Sequence, residues 1–404
     1  MKNYKFALCA VLSILIAAAA FTGCNNNDKS SATETNPVST EKATVQPATS
    51  APATKPSTDD SASEKQRKYN FLAIKQKSDA IYSSLDDIIS DNNFSGSVYL
   101  KLGNDLEFNK CSGSSDEVQR KKNSLHTNFY TGSLTKHITA AAVLKLSEEK
   151  KLSLDDNLGK YFPDCSYAKD VTIKNLLTMT SAVPSYTKVA NGKLQLVDEL
   201  DKKIKEDYSE KKNKSAVLNW ILSQKLNDRA GKKYKYSDSG YFLLGEIIEK
   251  ASGTSYTAYV SENILKPLGM NNSGFKAPSS LATAYDDKNE SVNKLTLGGV
   301  GYSALGFISN VSDTIRYIEG IFDENVINSN SLLAMHTPFL NGYGYGVKID
   351  GDRIEISSNL GAYSATVTYS TDETELYVAY SNYASSDAHA LNVLFKDYLK
   401  EFLI

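Results

Sequence analysis

The stretches that decide the predicted fold lie near the C-terminus: Arg353-Ile-Glu-Ile-Ser357, Tyr363-Ser-Ala-Thr-Val-Thr-Tyr369 and Glu375-Leu-Tyr-Val-Ala-Tyr380. Each is short and rich in β-branched or aromatic residues, which is typical of a β-strand. Asp350-Gly351 is a typical hairpin turn and joins the first stretch to a further candidate strand, Gly344-Tyr-Gly-Val-Lys-Ile349. We therefore predict four antiparallel strands at this end of the chain.

The rest of the 404-residue chain suggests how these strands are completed. Gly96 to Leu102 alternates like a strand and ends at a turn, while apolar residues recur at helical spacing from Tyr69 to Ile89 and from Ala388 to Phe402. Most of the segment from Ser133 to Val326 is predicted to be helix or loop. The economical architecture is α+β: one antiparallel sheet built from both chain ends, flanked by terminal helices, with an inserted helical subdomain. A cleft between the sheet and this subdomain is the expected place for a site.

The N-terminus has the features of a targeting signal. Lys2 and Lys5 precede an almost wholly apolar stretch, Phe6 to Ala20, which is short for a membrane-spanning helix. The next residues, Phe21-Thr-Gly-Cys24, resemble a bacterial lipobox. We therefore predict a signal peptide over residues 1–23 and acylation of Cys24. An ordinary signal peptide with a chance cysteine and an uncleaved anchor are the alternatives.

Composition divides the remainder into a tether and a body. Residues 24–65 are rich in Asn, Ser, Thr, Ala and Pro and contain no aromatic residue, so they cannot bury enough apolar surface to fold. They are predicted to form a flexible tether between the lipid and the folded body, residues 66–404. We expect the body to lie outside the cytoplasm, held at the cell membrane through Cys24.

Charge, histidines and cysteines argue against several classes of function. The net charge of −2 does not suggest nucleic-acid binding, which usually needs a basic surface. No histidine stands in an HxH or HExxH pattern, so we predict neither a metal site nor a cofactor. Cys111 and Cys165 are the cysteines of the body, and two unpaired thiols are the preferred interpretation, with a disulfide as the alternative.

Ser133-Leu-Thr-Lys136 is the first candidate for chemistry. A helix that starts at Ser133 brings Lys136 onto the same face, because residues three apart on a helix are neighbours. The free backbone N–H groups and the dipole of a helix N-terminus would stabilise negative charge on Ser133. The spacing alone is common in this chain, for example at Ser185 and Lys188. Ser133 differs by the aromatic run and Gly132 before it and by the Ala-rich apolar helix after it.

Two later motifs supply further candidates. Tyr236-Ser-Asp238 precedes an apolar helical stretch, so that Ser237 or Asp238 is a good helix N-cap and Tyr236 can face a cleft. Packing alone explains most tyrosines in such a position. Asn359-Leu-Gly361 precedes the strand from Tyr363, where a glycine would let a substrate backbone lie close. Each motif is weak by itself.

Taken together and in this order, the three motifs resemble those of the serine β-lactamases and penicillin-binding proteins. The resemblance runs from about residue 90 to the C-terminus and is specific to the class C β-lactamase-related branch, which includes DD-carboxypeptidases and esterases. It also depends on family-like stretches between the motifs: 154–163, 171–184, 241–248, 264–270 and 306–313. It implies the two-subdomain β-lactamase-like form of the α+β architecture.

The resemblance also implies roles for individual residues. Ser133 would attack a carbonyl to form an acyl-enzyme, while Lys136 and Tyr236 would share the proton transfers. The backbone N–H groups of Ser133 and Ala362 would form the oxyanion hole. Asp238, Asn359 and Gly361 would stand at substrate-binding positions.

Two of these positions depart from the family pattern. Asp238 replaces the usual Asn, and a carboxylate near Lys136 would favour the ammonium form and oppose a neutral lysine base. Asn359 replaces the usual cationic or imidazole residue and cannot form a charge-assisted bond to a substrate carboxylate. Both changes argue against efficient recognition of β-lactams or D-Ala-D-Ala.

The predicted function is a monomeric, membrane-tethered serine hydrolase that acts through an acyl-enzyme on a small peptide, amide or ester. A peptidoglycan stem peptide is one candidate substrate. The alternative is a catalytically weak or inactive penicillin-binding-like surface protein that keeps the fold without turnover.

Overall fold

The described part of the chain carries strands at both ends and helices between them. A computed structural model describes residues 69–190, 193–204, 210–292 and 300–403, so the predicted signal peptide, Cys24 and the tether lie outside the described residues. The strands are β1 Gly96–Leu102, β2 Leu106–Ser112, β3 Ser114–Asp116, β4 Lys121–Lys122, β5 Phe129–Tyr130, β6 Thr187–Ala190, β7 Lys193–Leu196, β8 Ile308–Ser309, β9 Lys348–Asp350, β10 Arg353–Leu360, β11 Tyr363–Ser370 and β12 Glu375–Ser381.

The helices lie mostly between β5 and β9. They are α1 Phe71–Gln76, α2 Ser78–Asp91, α3 Leu134–Glu148, α4 Ile173–Leu177, α5 Asp198–Asp201, α6 Glu210–Ser223, α7 Asp238–Ser252, α8 Tyr256–Val260, α9 Tyr302–Leu305, α10 Val311–Phe322, α11 Ser329–Met335 and α12 Ala388–Leu399. Among the described residues, no helix is long and apolar enough to span a bilayer.

The main sheet joins the two ends of the chain. Within the described residues it has six strands in the order β2-β1-β12-β11-β10-β9, and every neighbouring pair is antiparallel. Gly96 of β1 is opposite Ser381 of β12, which places an N-terminal strand beside a C-terminal one. This arrangement confirms the predicted α+β architecture. Strand β2, which the sequence analysis did not identify, completes the β1 edge after a turn in which Gly103 has φ +54°.

Each face of the sheet is covered by helices. Val98 and Leu100 face α2 and α12, whose buried residues include Leu85 and Phe395. Tyr99, which lies between them on the same strand, packs into the core of the helical part. The two faces of one strand therefore meet different layers, because successive side chains of a strand alternate in direction.

Some predicted elements have different bounds in the structure. The helix predicted over Tyr69 to Ile89 is interrupted at Lys77, whose φ of −109° and ψ of 14° are not helical. The predicted C-terminal helix leaves α-helical geometry after Leu399 and ends in a 3₁₀ turn at Phe402.

The strand predicted from Gly344 is largely a loop. Pairing begins only at Lys348, and Gly346 has φ +83°, which residues with a side chain rarely adopt. A Cβ atom at Gly346 would lie 2.7 Å from the carbonyl oxygen of Lys136, so this loop packs directly against the first turn of α3. Close packing on α3 therefore replaces the predicted strand pairing.

Helix α3 is enclosed on nearly all sides. Its residues from Leu134 to Leu144 are buried without exception, and it contacts α7, α8, α9, α11 and β10. Small residues at Ala140-Ala-Ala142 allow this close approach. Thr139 donates from its hydroxyl to the Ser303 carbonyl at 2.7 Å and also bonds Tyr256, which fixes the helix against the elements around it.

The cysteines of the described part agree with the preferred interpretation. Cys111 on β2 is partly exposed and Cys165 is buried, and both are free thiols. The prediction of two unpaired cysteines is therefore confirmed.

Candidate active site

Ser133 lies where the chain turns from β5 into α3. Gly132 has φ +53°, which turns the backbone, and Ser133 is the N-cap residue with α-helical φ and ψ. Its side chain makes no capping bond and is only partly buried. The hydroxyl is therefore accessible at the positive end of a buried helix, as the sequence analysis expected.

Lys136 lies one turn further along the same face of α3. Its Nζ is 3.4 Å from Ser133 Oγ and donates to the Ala304 carbonyl at 3.0 Å. The side chain is fully buried, so the ammonium depends on these partners and on Asp238 for the interactions that water would otherwise supply.

Tyr236 approaches Ser133 from the loop before α7. Its hydroxyl is 3.2 Å from Ser133 Oγ, and Lys136 Nζ lies 5.1 Å from the centre of its ring. The ring of Tyr343 stands edge-on at 6.3 Å, while 43% of Tyr236 is exposed. The structure therefore brings together all three residues of the predicted proton-transfer group.

Asp238 forms a buried ion pair with Lys136. Asp238 Oδ1 lies 2.7 Å from Lys136 Nζ, and both side chains are almost completely inaccessible to solvent. Burial alone lowers the pKa of Lys136, but the interactions with Asp238 and, after it, with Tyr236 together outweigh burial, so the pKa is raised. The expectation that Asp238 favours the ammonium form agrees with this geometry.

Two hydroxyl groups hold Asp238 in place. Thr187 Oγ donates to Asp238 Oδ2, and the backbone N–H of Asp238 donates to Ser185 Oγ at 3.0 Å. Ser185 and Thr187 hydroxyls are themselves 3.0 Å apart. Thr187 could not be found from sequence, because 51 positions separate it from Asp238 and no motif connects the two residues.

The third motif spans the end of β10 and the turn that follows it. Asn359 and Leu360 are the last residues of β10, and Gly361 has φ +63° in the two-residue turn before β11. The Asn359 side chain donates to Asp387 Oδ2 at 3.3 Å, at the start of α12. It is therefore turned toward the α12 face of the sheet. The substrate contacts of Asn359 and Gly361 stay a prediction.

Ser358 is the β10 residue that meets the nucleophile's loop. A Cβ atom at Gly132 would lie 2.1 Å from Ser358 Oγ, so the two residues are in close contact. Sequence reasoning missed Ser358 because the Asn-x-Gly pattern one residue later resembled the family triplet. The alternation of a strand places Ser358 and Ile356 on the nucleophile's side and Asn359 on the other.

The second oxyanion donor has two candidates in this geometry. Ala362 is the second residue of the β10–β11 turn, whose closing pair is Leu360 and Tyr363. In a two-residue hairpin the closing pair is hydrogen-bonded, so the N–H of Leu360 points toward β11. N–H groups alternate in direction along a strand, so the N–H of Asn359 points away from β11. Ala362 stays the predicted donor, and Asn359 is the alternative that the strand register adds.

A hydrogen-bonded network of histidine and tyrosine lies behind Lys136. His137 is fully buried and bonds Tyr317 OH at 2.6 Å and Tyr369 OH at 2.8 Å. His336 also bonds Tyr369 OH, at 2.9 Å. Burial lowers the pKa of His137 well below its usual value and that of His336 to about 4. This network is therefore neutral at physiological pH.

A separate cavity lies on the α12 face of the sheet, away from Ser133. It has a volume of about 390 Å³ and is lined by Lys348, Ile349, Asp350, Arg353, Glu355 and Lys396. In the part of the chain that the structure describes, no cluster of His, Cys, Asp and Glu could hold a metal ion. The prediction that the protein needs neither metal nor cofactor stays a prediction.

Comparisons with known proteins give a consistent family. The Beta-lactamase family profile matches residues 92–393. PbpX of Bacillus subtilis (strain 168) is 26% identical over 270 residues, which are 65% of this chain and 64% of PbpX. The penicillin binding protein from Bacillus halodurans superposes with a TM-score of 0.67 at 24% identity, over 78% of this chain and 98% of that chain. The D-amino acid amidase from Ochrobactrum anthropi SV3 superposes with a TM-score of 0.64 at 18% identity, over 81% of this chain and 98% of that chain.

These matches differ in what they establish. The solved structures share the fold at low sequence identity. The chain spans less than two thirds of the length of the curated relatives it matches. The profile, by contrast, covers most of the chain and includes the segments that carry Ser133, Tyr236 and β10. The chain therefore belongs to the Beta-lactamase family.

Proposed function

We propose that this protein is an extracytoplasmic serine hydrolase that forms an acyl-enzyme on Ser133 with a peptide, amide or ester. The observation that carries the proposal is that two groups lie close to Ser133 Oγ: Tyr236 OH at 3.2 Å and Lys136 Nζ at 3.4 Å. A nucleophile needs a partner within hydrogen-bond reach that can accept its proton, and Ser133 has two.

The proposed reaction has two stages. Ser133 Oγ attacks the carbonyl carbon while its proton moves to the free amine of Lys136 or to the oxygen of Tyr236. That proton then passes to the leaving nitrogen or oxygen as its bond to the carbonyl breaks. In the second stage, water attacks the acyl-enzyme and returns a proton to Ser133 by the reverse path. Backbone N–H groups at Ser133 and at Ala362 or Asn359 would stabilise the oxyanion in both stages.

The charges in the cleft favour substrates that have no carboxylate beside the scissile bond. Among the described residues, the ammonium that contacts Ser133 is that of Lys136, and Asp238 already neutralises it. On β10, the residue in contact with Gly132 is the neutral Ser358. A neutral ester or amide therefore suits the site better than a peptide that ends in a free carboxylate. The superposed amidase supports amide chemistry as one of these options.

Active-site labelling tests the proposal directly. The full chain is treated with a fluorophosphonate or a labelled penicillin and its intact mass is measured, with Ser133→Ala as the matched control. We expect a fluorophosphonate adduct that the Ser133→Ala variant does not form. We also expect faster turnover of p-nitrophenyl esters and amino acid amides than of nitrocefin or D-Ala-D-Ala. A folded protein that never forms the adduct would contradict the proposal, and an adduct that survives the substitution would refute the nucleophile assignment.

A binding protein with little or no turnover is the second candidate. The specific observation in its favour is the Lys136–Asp238 ion pair, since a lysine held as an ammonium cannot accept the Ser133 proton. In that case the folded protein would form little or no adduct with the fluorophosphonate and would release no product from any ester or amide at neutral pH.

We also propose that the protein is tethered to the membrane through a lipid on Cys24. The apolar stretch before Phe21-Thr-Gly-Cys24 and the polar composition after it support this placement. Metabolic labelling with a palmitate analogue should mark the full chain and fail to mark Cys24→Ala. Membrane fractionation of the same two proteins distinguishes the two kinds of anchor. A lipid anchor would keep only the wild-type protein in the membrane fraction, whereas an uncleaved apolar segment would keep both proteins there.

A further inference from the structure

A line of polar groups connects the nucleophile to the segment around β6. From Ser133 Oγ it runs to Lys136 Nζ at 3.4 Å, to Asp238 Oδ1 at 2.7 Å, and then from Asp238 Oδ2 to Thr187 Oγ. Thr187 Oγ and Ser185 Oγ are 3.0 Å apart. Every member after Ser133 except Ser185 is buried, so water cannot replace a missing partner.

The hydrogen-bond directions in this line are fixed by chemistry. Ser185 Oγ accepts from the backbone N–H of Asp238, so its own proton is free to point at Thr187 Oγ. Thr187 Oγ then accepts from Ser185 and donates to Asp238 Oδ2. A carboxylate can only accept, and each donor that it gains favours its ionised form. Thr187 therefore stabilises the Asp238 carboxylate, and with it the ammonium of Lys136.

We propose that Thr187, supported by Ser185, is a positioning residue that keeps the shared proton of the Lys136–Asp238 pair on Lys136 and thereby limits the amount of neutral amine beside Ser133. This inference rests on the proposed function, in which Lys136 must release its proton before it can accept that of Ser133. Removal of the Thr187 hydroxyl would leave one carboxylate oxygen without its donor. The proton would then pass more readily from Lys136 to Asp238, giving more neutral amine beside Ser133 while the pair holds the same number of protons.

The other groups around the pair do not provide this control. Tyr236 faces Lys136 from the loop before α7. Tyr186 and Tyr343 are the other titratable groups that interact with the charge of Asp238, and the pKa of each is raised by burial and, to a smaller extent, by this charge. Ala304 contributes only a carbonyl, which accepts from Lys136. Among these described neighbours, Thr187 is the one whose side chain donates directly to the carboxylate.

The test compares Thr187→Val with Thr187→Ser and with Thr368→Val. Thr368 is a matched control, because it is also buried and its hydroxyl accepts from Asn392 at 2.9 Å, on the α12 face of the sheet. Two readouts are measured on the full chain across pH 6 to 10. One is the rate of Ser133 acylation by a fluorophosphonate. The other is the ionisation of Lys136, followed by NMR of lysine labelled with ¹³C at Cε and assigned by the signal lost in Lys136→Arg.

We expect Thr187→Val to raise the acylation rate by up to about tenfold at pH values below the midpoint of the wild-type curve, as a lost hydrogen bond to a charged group predicts. The Lys136 Cε signal of this variant should move toward that of a neutral amine in the same pH range. Thr187→Ser should keep the wild-type rate and signal, since it retains the hydroxyl, and Thr368→Val should keep them as well. A loss of rate at every pH, or a rate and a signal that do not change, would overturn the inference. If the signal moves but the wild-type protein is never acylated, the positioning role stands and the proposed function fails.

Discussion

Two buried ion pairs in this molecule have similar chemistry but different neighbours. Arg353 at the start of β10 pairs with Glu375 at the start of β12, and it also donates to Tyr69 OH at 3.3 Å. Lys136 pairs with Asp238 and also contacts the Ala304 carbonyl, Ser133 Oγ and the ring of Tyr236. Both pairs satisfy charges that burial would otherwise penalise. Only the second lies beside an accessible hydroxyl, that of Ser133, so we expect the first pair to stabilise the fold and the second to control the proposed reactivity.

The largest expected effect tests the reactive pair. We expect Lys136→Met to lower the rate of Ser133 acylation by about 10²–10⁴-fold, because the nucleophile loses a positioned proton acceptor. Single-turnover labelling with a fluorophosphonate measures this rate. The variant also leaves Asp238 without its cation, so the fraction of folded protein is determined in parallel and the rate is expressed per folded molecule. A rate within threefold of wild type would remove Lys136 from the mechanism.

The second prediction tests the structural pair. Glu375→Gln should reduce the free energy of unfolding by about 3–5 kcal/mol, because Arg353 keeps its charge in a buried position without a carboxylate. Denaturant titration measures the loss, and the acylation rate of the folded protein should stay unchanged. Replacing both partners, as Arg353→Met with Glu375→Leu, should recover most of the stability. A large change in the acylation rate would show that the two pairs do not have separate roles.

Acid provides a third test, because His137 of the buried histidine network lies next to Lys136 on α3 and is connected to His336 through Tyr369. The pKa of His336 is lowered from 6.5 to about 4 in the folded protein, so the unfolded chain binds its proton first as the pH falls. Stability is therefore fully present above pH 6.5 and decreases toward pH 4, by up to about 3 kcal/mol from this residue. Unfolding of wild type and His336→Gln between pH 4 and 7 should show a steeper pH dependence in the wild type. If the stability of the two proteins decreased equally steeply with falling pH, protonation of His336 would not destabilise the folded state.

The smallest expected effect concerns the charge of the second motif. Asp238→Asn removes the carboxylate that raises the pKa of Lys136. A shift of about one pH unit in the lysine base corresponds to a roughly tenfold faster acylation at pH 7. The fluorophosphonate assay at several pH values measures it, with Asp201→Asn as an exposed control. The absence of any gain would mean that Asp238 does not restrain Lys136.

Sequence reasoning identified the residues that a motif connects and missed those that only the fold connects. Local rules predicted the helices that carry Ser133 and Lys136 and that follow Tyr236, but each motif was weak by itself, and the family resemblance singled out these three residues. The strands Tyr363–Ser370 and Glu375–Ser381 were predictable from local rules alone, since their residue types favour extended structure.

The errors have physical causes that no local pattern contains. Leu106–Ser112 has charged and polar residues at its solvent-facing positions, and its pairing with β1 decides its strand conformation. Gly344 to Val347 has the composition of a strand, but contact between Gly346 and α3 holds it as a loop. Asn359 and Ser358 differ by one position, and in a strand that step reverses the face to which a side chain points. Thr187 reaches Asp238 only through tertiary structure.

Strand β10 has a consequence for observing this protein at work. Its Ser358 touches the loop of the nucleophile, while its next residue, Asn359, is bonded to Asp387 at the start of the C-terminal helix. An environment-sensitive fluorophore on that helix, at the exposed Ala390, would sit on the far side of the sheet from any substrate. Occupancy of the cleft could then be read as a change in emission, without an optical label ever entering the space that the substrate needs.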